Sequence, residues 1–254
     1  MLVMLSEMAS SDERSIVLEA CIASADDAVV AVENGAQRLE LNVAIEVGGL
    51  TPTVGLLAQV KESVDVPVMV MVRPRTGGFR YSDSEKGLMV RDARTLVDCG
   101  ADGIVFGGLS VGGLLDHCLI ERLRDVCPQG ELVFHRAFDL LHKPVEAVEE
   151  LIGLHVDRVL TSGCAATALE GTGRISEFLR SARGRIEILP GGGICANTVG
   201  ELLEKTGCTQ VHGTFKVLQT DSAGWVCSGS YPVLDGNEVS AVRAVMDRCQ
   251  FNAF

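Results

Sequence analysis

At 254 residues the chain is long enough for one large domain that buries about three quarters of its unfolded surface without disulfide staples. Its formal net charge of -12 sets it against nucleic acid and anionic membranes, and no apolar run is long enough to span a bilayer. Hydrophobic residues make up 47% and aromatics only 4%, with 28 glycines, a mixture suited to buried aliphatic strands joined by tight loops.

Residues 1–14 read as a loose polar tail, and Met1 to Leu5 is too short to be a secretory core. From there short aliphatic runs alternate with stretches of helical period. Strands are predicted at Ile16 to Ile22, Arg38 to Val43, Pro67 to Arg73, Gly103 to Gly107, Leu132 to Ala137, Arg158 to Ser162, Ile186 to Pro190 and Gln210 to Gly213. Helices are predicted at about 24–34, 52–64, 84–99, 116–127, 143–153, 173–182, 195–206 and 236–249. Ser24 and Ser82 precede acidic first turns as N-caps, while Gly35, Gly100 and Gly207 sit where helices stop. Eight such units without a GxGxxG after the first strand predict a single (β/α)8 TIM-like barrel over residues 15–254. Gly213 to Asn237 reads as an irregular stretch before the last helix.

Barrels carry their active sites at the C-terminal ends of the strands. Sorting the polar residues by strand end gathers Glu19, Cys21, Glu40, Asn42, Arg73, Arg75, His135, Arg136, Asp139, Ser162 and His212 at that mouth, with mostly apolar residues at the other ends. Any one Glu or Arg there is as compatible with a structural ion pair, and Arg38 and Arg158 at strand starts are read that way. Clustering over six strands is what points to a site. Glu19, Glu40, His135, Asp139 and His212 are the candidate acids, bases or ligands. Arg73, Arg75 and Arg136 are candidate anion donors. Ser162 and the run Gly191-Gly192-Gly193, read as leading into a helix, add a hydroxyl and backbone amides for the same anion.

His117, His142 and His155 fall on helices or loops as surface residues, and of the lysines only Lys216 lies near a strand end, in the irregular stretch beyond strand eight, which argues against Schiff-base chemistry. The nine cysteines form no CxxC, so reduced thiols in the cytoplasm are expected. Cys21 and Cys164 alone are placed for chemistry, and Cys21 is the candidate for a soft metal such as Cu(I).

Several segments resemble the CutC copper-homeostasis family. They include Leu18-Glu19-Ala20-Cys21, Arg38-Leu39-Glu40-Leu41, Gly48-Gly49-Leu50-Thr51-Pro52, Val72-Arg73-Pro74-Arg75-Thr76-Gly77-Gly78-Phe79, Phe134-His135-Arg136-Ala137-Phe138-Asp139, Arg158-Val159-Leu160-Thr161-Ser162-Gly163 and Pro190-Gly191-Gly192-Gly193-Ile194. The resemblance implies a TIM-like barrel, homo-oligomeric assembly, a cytosolic location and a role in copper homeostasis. Asn42 stands where members of the family often carry a cysteine, and Gly213-Thr214-Phe215-Lys216 replaces a segment that usually ends in arginine. The expected function is therefore copper homeostasis, with copper as the bound ion. The alternative is a lyase or isomerase acting on a small phosphorylated or carboxylated metabolite at the mouth. A harder divalent ion on Glu19, Glu40, Asp139 and His135 is a further reading.

Overall fold

The computed structural model describes residues 16–221 and 229–251, so the tail expected at 1–14 lies outside the described residues. The first half of the barrel runs β1 (Val17–Ile22), α1 (Ala25–Glu33), β2 (Arg38–Leu41), α2 (Val54–Ser63), β3 (Val68–Met71), α3 (Asp83–Asp98), β4 (Gly103–Phe106) and α4 (His117–Val126). The second half runs β5 (Glu131–Phe134), α5 (Pro144–Gly153), β6 (Arg158–Thr161), α6 (Thr172–Ala182), β7 (Glu187–Pro190), α7 (Val199–Thr206) and β8 (Gln210–Gly213). A hairpin of β9 (Lys216–Thr220) and β10 (Ser230–Leu234) follows, and α8 (Gly236–Phe251) ends the described chain.

Strands β1 to β7 pair in chain order, β8 pairs with β1, and every one of these pairings is parallel. A parallel bridge from Gly191 to His212 brings β7 to β8 and closes the ring. Both faces of each strand are covered, one by helices and one by the barrel interior, which is why the strands read as unbroken aliphatic runs. Local chemistry sets where the helices begin. The Ser24 hydroxyl accepts from the Asp27 N–H, Ser82 and Glu85 form a reciprocal capping box, Asp116 accepts from the Leu119 N–H, and Pro144 opens α5.

Three boundaries depart from expectation, and each bears on the mouth. Strand β5 stops at Phe134, and His135 caps a 3-10 helix over Arg136–Leu140, because its ring nitrogen takes the Ala137 N–H that a longer strand would pair. Helix α7 begins at Val199 rather than near 195, so the triple glycine leads into a loop and not into a helix N-terminus. The stretch after β8 is not wholly irregular, since β9 and β10 pair antiparallel across it.

Alternate residues of each strand face the barrel interior. There Met69, Met71, Val105 and Val133 form an apolar cluster of their own, separate from the main core between sheet and helices. The opposite wall, from β1, β2 and β8, is charged. The N-terminal end is charged as well, which corrects the expectation of apolar strand starts. Arg38 binds Glu19 and Gln210, Gln210 binds Glu187, and Arg158 joins Glu187 at 2.6 Å to Glu131 at 2.8 Å. Arg38 and Arg158 are thus the structural ion-pair formers that their positions suggested.

Removing one partner of a buried pair strands the other charge in a low dielectric. Arg38→Met is expected to cost about 3–5 kcal/mol in urea unfolding. Adding Glu19→Leu to that variant should recover most of the loss. A double variant as unstable as the single would show that the pair is not what the barrel depends on there.

Candidate functional site

The register of β1 with its two neighbours builds the site. Glu19 lies between Arg38 of β2 and His212 of β8, and one step further along, Cys21 lies beside Glu40. The side chains follow the backbone. One oxygen of the Glu19 carboxylate pairs with the Arg38 guanidinium, and the other accepts from His212 Nδ1 at 2.7 Å. Cys21 lies close enough to His212 to favour its protonated form. The Asn42 amide donates to Glu40 Oε1 at 2.8 Å and reaches Cys21 Sγ at 3.3 Å. As a result Cys21, Glu40 and His212, all buried, offer ligand atoms within 4.8 Å of one another. Glu40 Oε2 and Asn42 Oδ1 are buried without a hydrogen-bond partner.

The charges in this group support each other. Burial pushes the Glu19 carboxyl up, but Arg38 and His212 outweigh it and hold Glu19 well below the usual carboxylate range. Burial opposes a charge on His212, yet Glu40, Cys21 and Glu19 together raise it well above an ordinary imidazole. Burial pushes the Cys21 thiol up against its contact with His212, and pushes Glu40 up against the His212 charge. Glu19, kept ionised, orients His212. That is the carboxylate–histidine arrangement that commonly aims a metal-binding imidazole.

Above this group the mouth opens into a cavity of about 210 Å³. Cys21, Glu40, Asn42 and His212 form one wall, and Phe79, His135, Arg136 and Leu160 line the other. Met71 reaches the cavity from the apolar side, and Thr214 and Lys216 line it from the segment after β8. His135 Nδ1 accepts the Ala137 N–H at 3.1 Å, so the ring proton sits on Nε2, which has no partner among the described residues. The ring packs on Phe79 with centroids 4.7 Å apart. Gly107 must lack a side chain here, since a Cβ would meet the His135 ring at 2.2 Å.

The remaining residues named from the sequence divide. Arg73 is buried, but its guanidinium is spread over the carbonyls of Val47, Gly48, Gly49 and Gly77, where it ties down the β2–α2 loop instead of lining the cavity. Arg75 pairs outside the mouth with Glu85, whose carboxylate also caps α3. Asp139 does not face the cavity either. It accepts from the Thr161 hydroxyl, the backbone N–H groups of Ser162 and Cys164, and the Ser162 hydroxyl, and it holds Arg136 at 3.0 Å. The Ser162 hydroxyl accepts from Arg136, and its single proton is shared between Asp139 and Ala165 O, the latter at 2.6 Å. In the glycine run, the Gly191 N–H goes to Thr161 O, while the Gly192 and Gly193 carbonyls accept from the Ala168 N–H and the Thr198 hydroxyl. Cys164 is exposed beyond β6, and His117, His142 and His155 are exposed too. Met71, Phe79 and Lys216 were not among the expected site residues. Met71 shares strand parity with Arg73 and was legible in principle, whereas Lys216 reaches the mouth only because the chain after β8 returns to it.

The model of the CutC family matches residues 16–217, most of the chain. The chain belongs to the CutC family. A CutC protein of Treponema denticola is 45% identical over 199 residues, 78% of this chain and 81% of its own length. The human copper homeostasis protein cutC homolog is 45% identical over 196 residues, covering 77% of this chain and 72% of the relative. A solved CutC structure from Streptococcus agalactiae superposes with a TM-score of 0.74 at 31% identity, over 78% of this chain and 98% of that one. The matched stretch spans all eight barrel strands and the positions of Cys21, Glu40 and His212.

Burial, with Arg73 adding to it, lowers the His135 imidazole to about 3. A histidine in the unfolded chain titrates near 6.5, so below that pH the unfolded state gains a proton that folded His135 refuses. Its contribution to stability is complete above pH 6.5 and is lost as pH falls toward about 3. Ring ¹⁵N spectra at pH 5 should show His135 neutral with its proton on Nε2, and His212 carrying two protons. A doubly protonated His135 at pH 5 would contradict this.

Proposed function

We propose that this CutC protein serves copper homeostasis by holding a Cu(I) ion between Cys21 and His212, with Glu40 as the adjacent carboxylate. The observation that carries the reading is the buried Cys21, Glu40 and His212 group at the barrel mouth. Cu(I) favours soft donors, and Cys21 supplies a thiolate and His212 an imidazole, with the Met71 thioether lining the same cavity. Glu40 Oε2, buried without a hydrogen bond and with only the His212 ring 4.0 Å away, is the kind of atom a cation satisfies. Glu19 acts through His212, fixing which ring nitrogen faces Cys21. Asn42 takes the place of a second thiolate, so its amide supports Cys21 Sγ without adding a ligand.

The partner on this reading is an ion and not a polymer. A net charge of -12 opposes nucleic acid and anionic lipid, and no helix among the described residues is long and apolar enough to cross a membrane. Free thiols at all eight described cysteines suit the cytoplasm, where copper circulates as Cu(I). The homo-oligomer that the resemblance implies has an apolar surface available in Val217, Leu218 and Tyr231 of the β9–β10 hairpin, all exposed.

Cu(I) affinity is measured anaerobically against a chromogenic chelator. Glu19→Gln, which removes the charge that orients His212 and also pairs with Arg38, is expected to weaken binding roughly 10- to 100-fold. Cys21→Ser should weaken it further still. Asn42→Cys, which places a second sulfur next to Cys21, should tighten it. Equal affinity of wild type and Cys21→Ser would overturn the proposal.

A further inference from the structure

The wall facing the metal-ligand group is built from donors that lack acceptors. His135 is 95% buried, since its exposure is 5%, and it offers to the cavity an Nε2–H with no partner among the described residues. Its ring cannot turn away: Nδ1 is held by the Ala137 N–H, one face by Phe79, and the Cε1 edge by the backbone of Gly107. Arg136 is similarly fixed. Its Nε goes to Asp139 and one terminal nitrogen to Ser162 Oγ at 2.7 Å, which leaves Nη1 uncommitted among the described residues. Gly192, at φ +104°, makes room for it, because a Cβ there would lie 3.3 Å from Nη1. Lys216 lines the same cavity and makes no ion pair among the described residues.

A fixed neutral N–H and two cations, one prepositioned and one exposed at the rim, suit an anion that also carries a neutral oxygen. A cavity of about 210 Å³ admits only a small one, below the roughly 300–1,000 Å³ of drug-sized pockets. Barrel phosphate sites rely on amides at a helix N-terminus after the seventh or eighth strand. After β7 in this chain the helix, α7, starts six residues beyond Gly193, so its N-terminal amides do not form such a cradle at the glycine run. Two separate point donors match the two oxygens of a carboxylate better than the three of a phosphoryl group.

We infer that the mouth binds a small oxo- or hydroxycarboxylate, its carboxylate held by Lys216 and Arg136 and its oxo or hydroxyl oxygen accepting from His135 Nε2–H. The anion donors are then not Arg73 and Arg75, which do not line the cavity and whose terminal nitrogens go to loop carbonyls and to Glu85. The ligand needs no metal, so this inference stands apart from the copper reading.

Calorimetric titration of the chelator-treated full chain with pyruvate, glycolate, acetate and inorganic phosphate tests it. Pyruvate and glycolate should bind about ten-fold or more tightly than acetate, which lacks the second oxygen, and more tightly than phosphate. Lys216→Ala, an exposed change that the fold tolerates, should weaken pyruvate binding about ten-fold or more. His135→Phe should remove the preference over acetate, and Arg75→Ala should change nothing. The acetate comparison and Lys216→Ala decide the matter even where His135→Phe does not fold. Phosphate binding more tightly than any carboxylate, no carboxylate binding, or no effect of Lys216→Ala would each overturn the inference. Because no metal is present, failure here leaves the Cu(I) site standing, and failure of Cu(I) binding leaves this one.

Discussion

Glu19 is a carboxylate sealed inside a barrel, and the rest of the site follows from how its charge is met. Arg38 neutralises it from β2 and His212 takes its second oxygen from β8, so three strands are tied together at one level of the ring. A lone ionised carboxylate at 1% exposure would cost too much to survive. With both partners present it becomes an anchor that fixes the His212 ring. The ring then faces Cys21, and the parallel register sets Glu40 beside the same sulfur. Stability and the site therefore share one set of contacts, with Arg38 on the structural side and His212 on the chemical side.

The barrel interior divides into two characters. The side formed by β3, β4 and β5 is closed by Met69, Met71, Val105 and Val133. The side formed by β1, β2 and β8 carries the charges. This division leaves one polar group inside an apolar wall, where electrostatic interactions are strong and water is scarce. It also places a soft sulfur, Met71, across from the thiol of Cys21, both within the lining of one cavity. A polar lip of His135, Arg136 and Lys216 completes the mouth, and it differs from the wall of Cys21, Glu40 and His212 in having hydrogens to give.

Strand and helix positions were legible because aliphatic runs of strand length alternate with helical periods, and N-caps at Ser24 and Ser82 mark the helix starts. Cys21, Glu40 and His212 were legible as mouth residues from their place late in strands. Their grouping was not, because it depends on the stagger between β1, β2 and β8, which periodicity does not encode. Arg73 illustrates the opposite difficulty. Its position at the end of β3 suggested an anion donor, but a loop four residues on and the loop between β2 and α2 supply the carbonyls that occupy it. Asp139 likewise looks like a mouth acid until the Thr161 and Ser162 groups that surround it are known. Lys216 lay in a stretch that reads as irregular, and only the hairpin brings it to the cavity.

The central claim is that buried charge pairing aims Cys21, Glu40 and His212 at one point. Crystals of the copper-loaded protein, grown without oxygen and measured at the copper edge, test it directly. The account predicts one dominant anomalous peak within bonding distance of Cys21 Sγ and His212 Nε2, with the Glu19–His212 contact intact. Copper found instead on the exposed thiols Cys99, Cys118 or Cys164, with the barrel mouth bare, would contradict it.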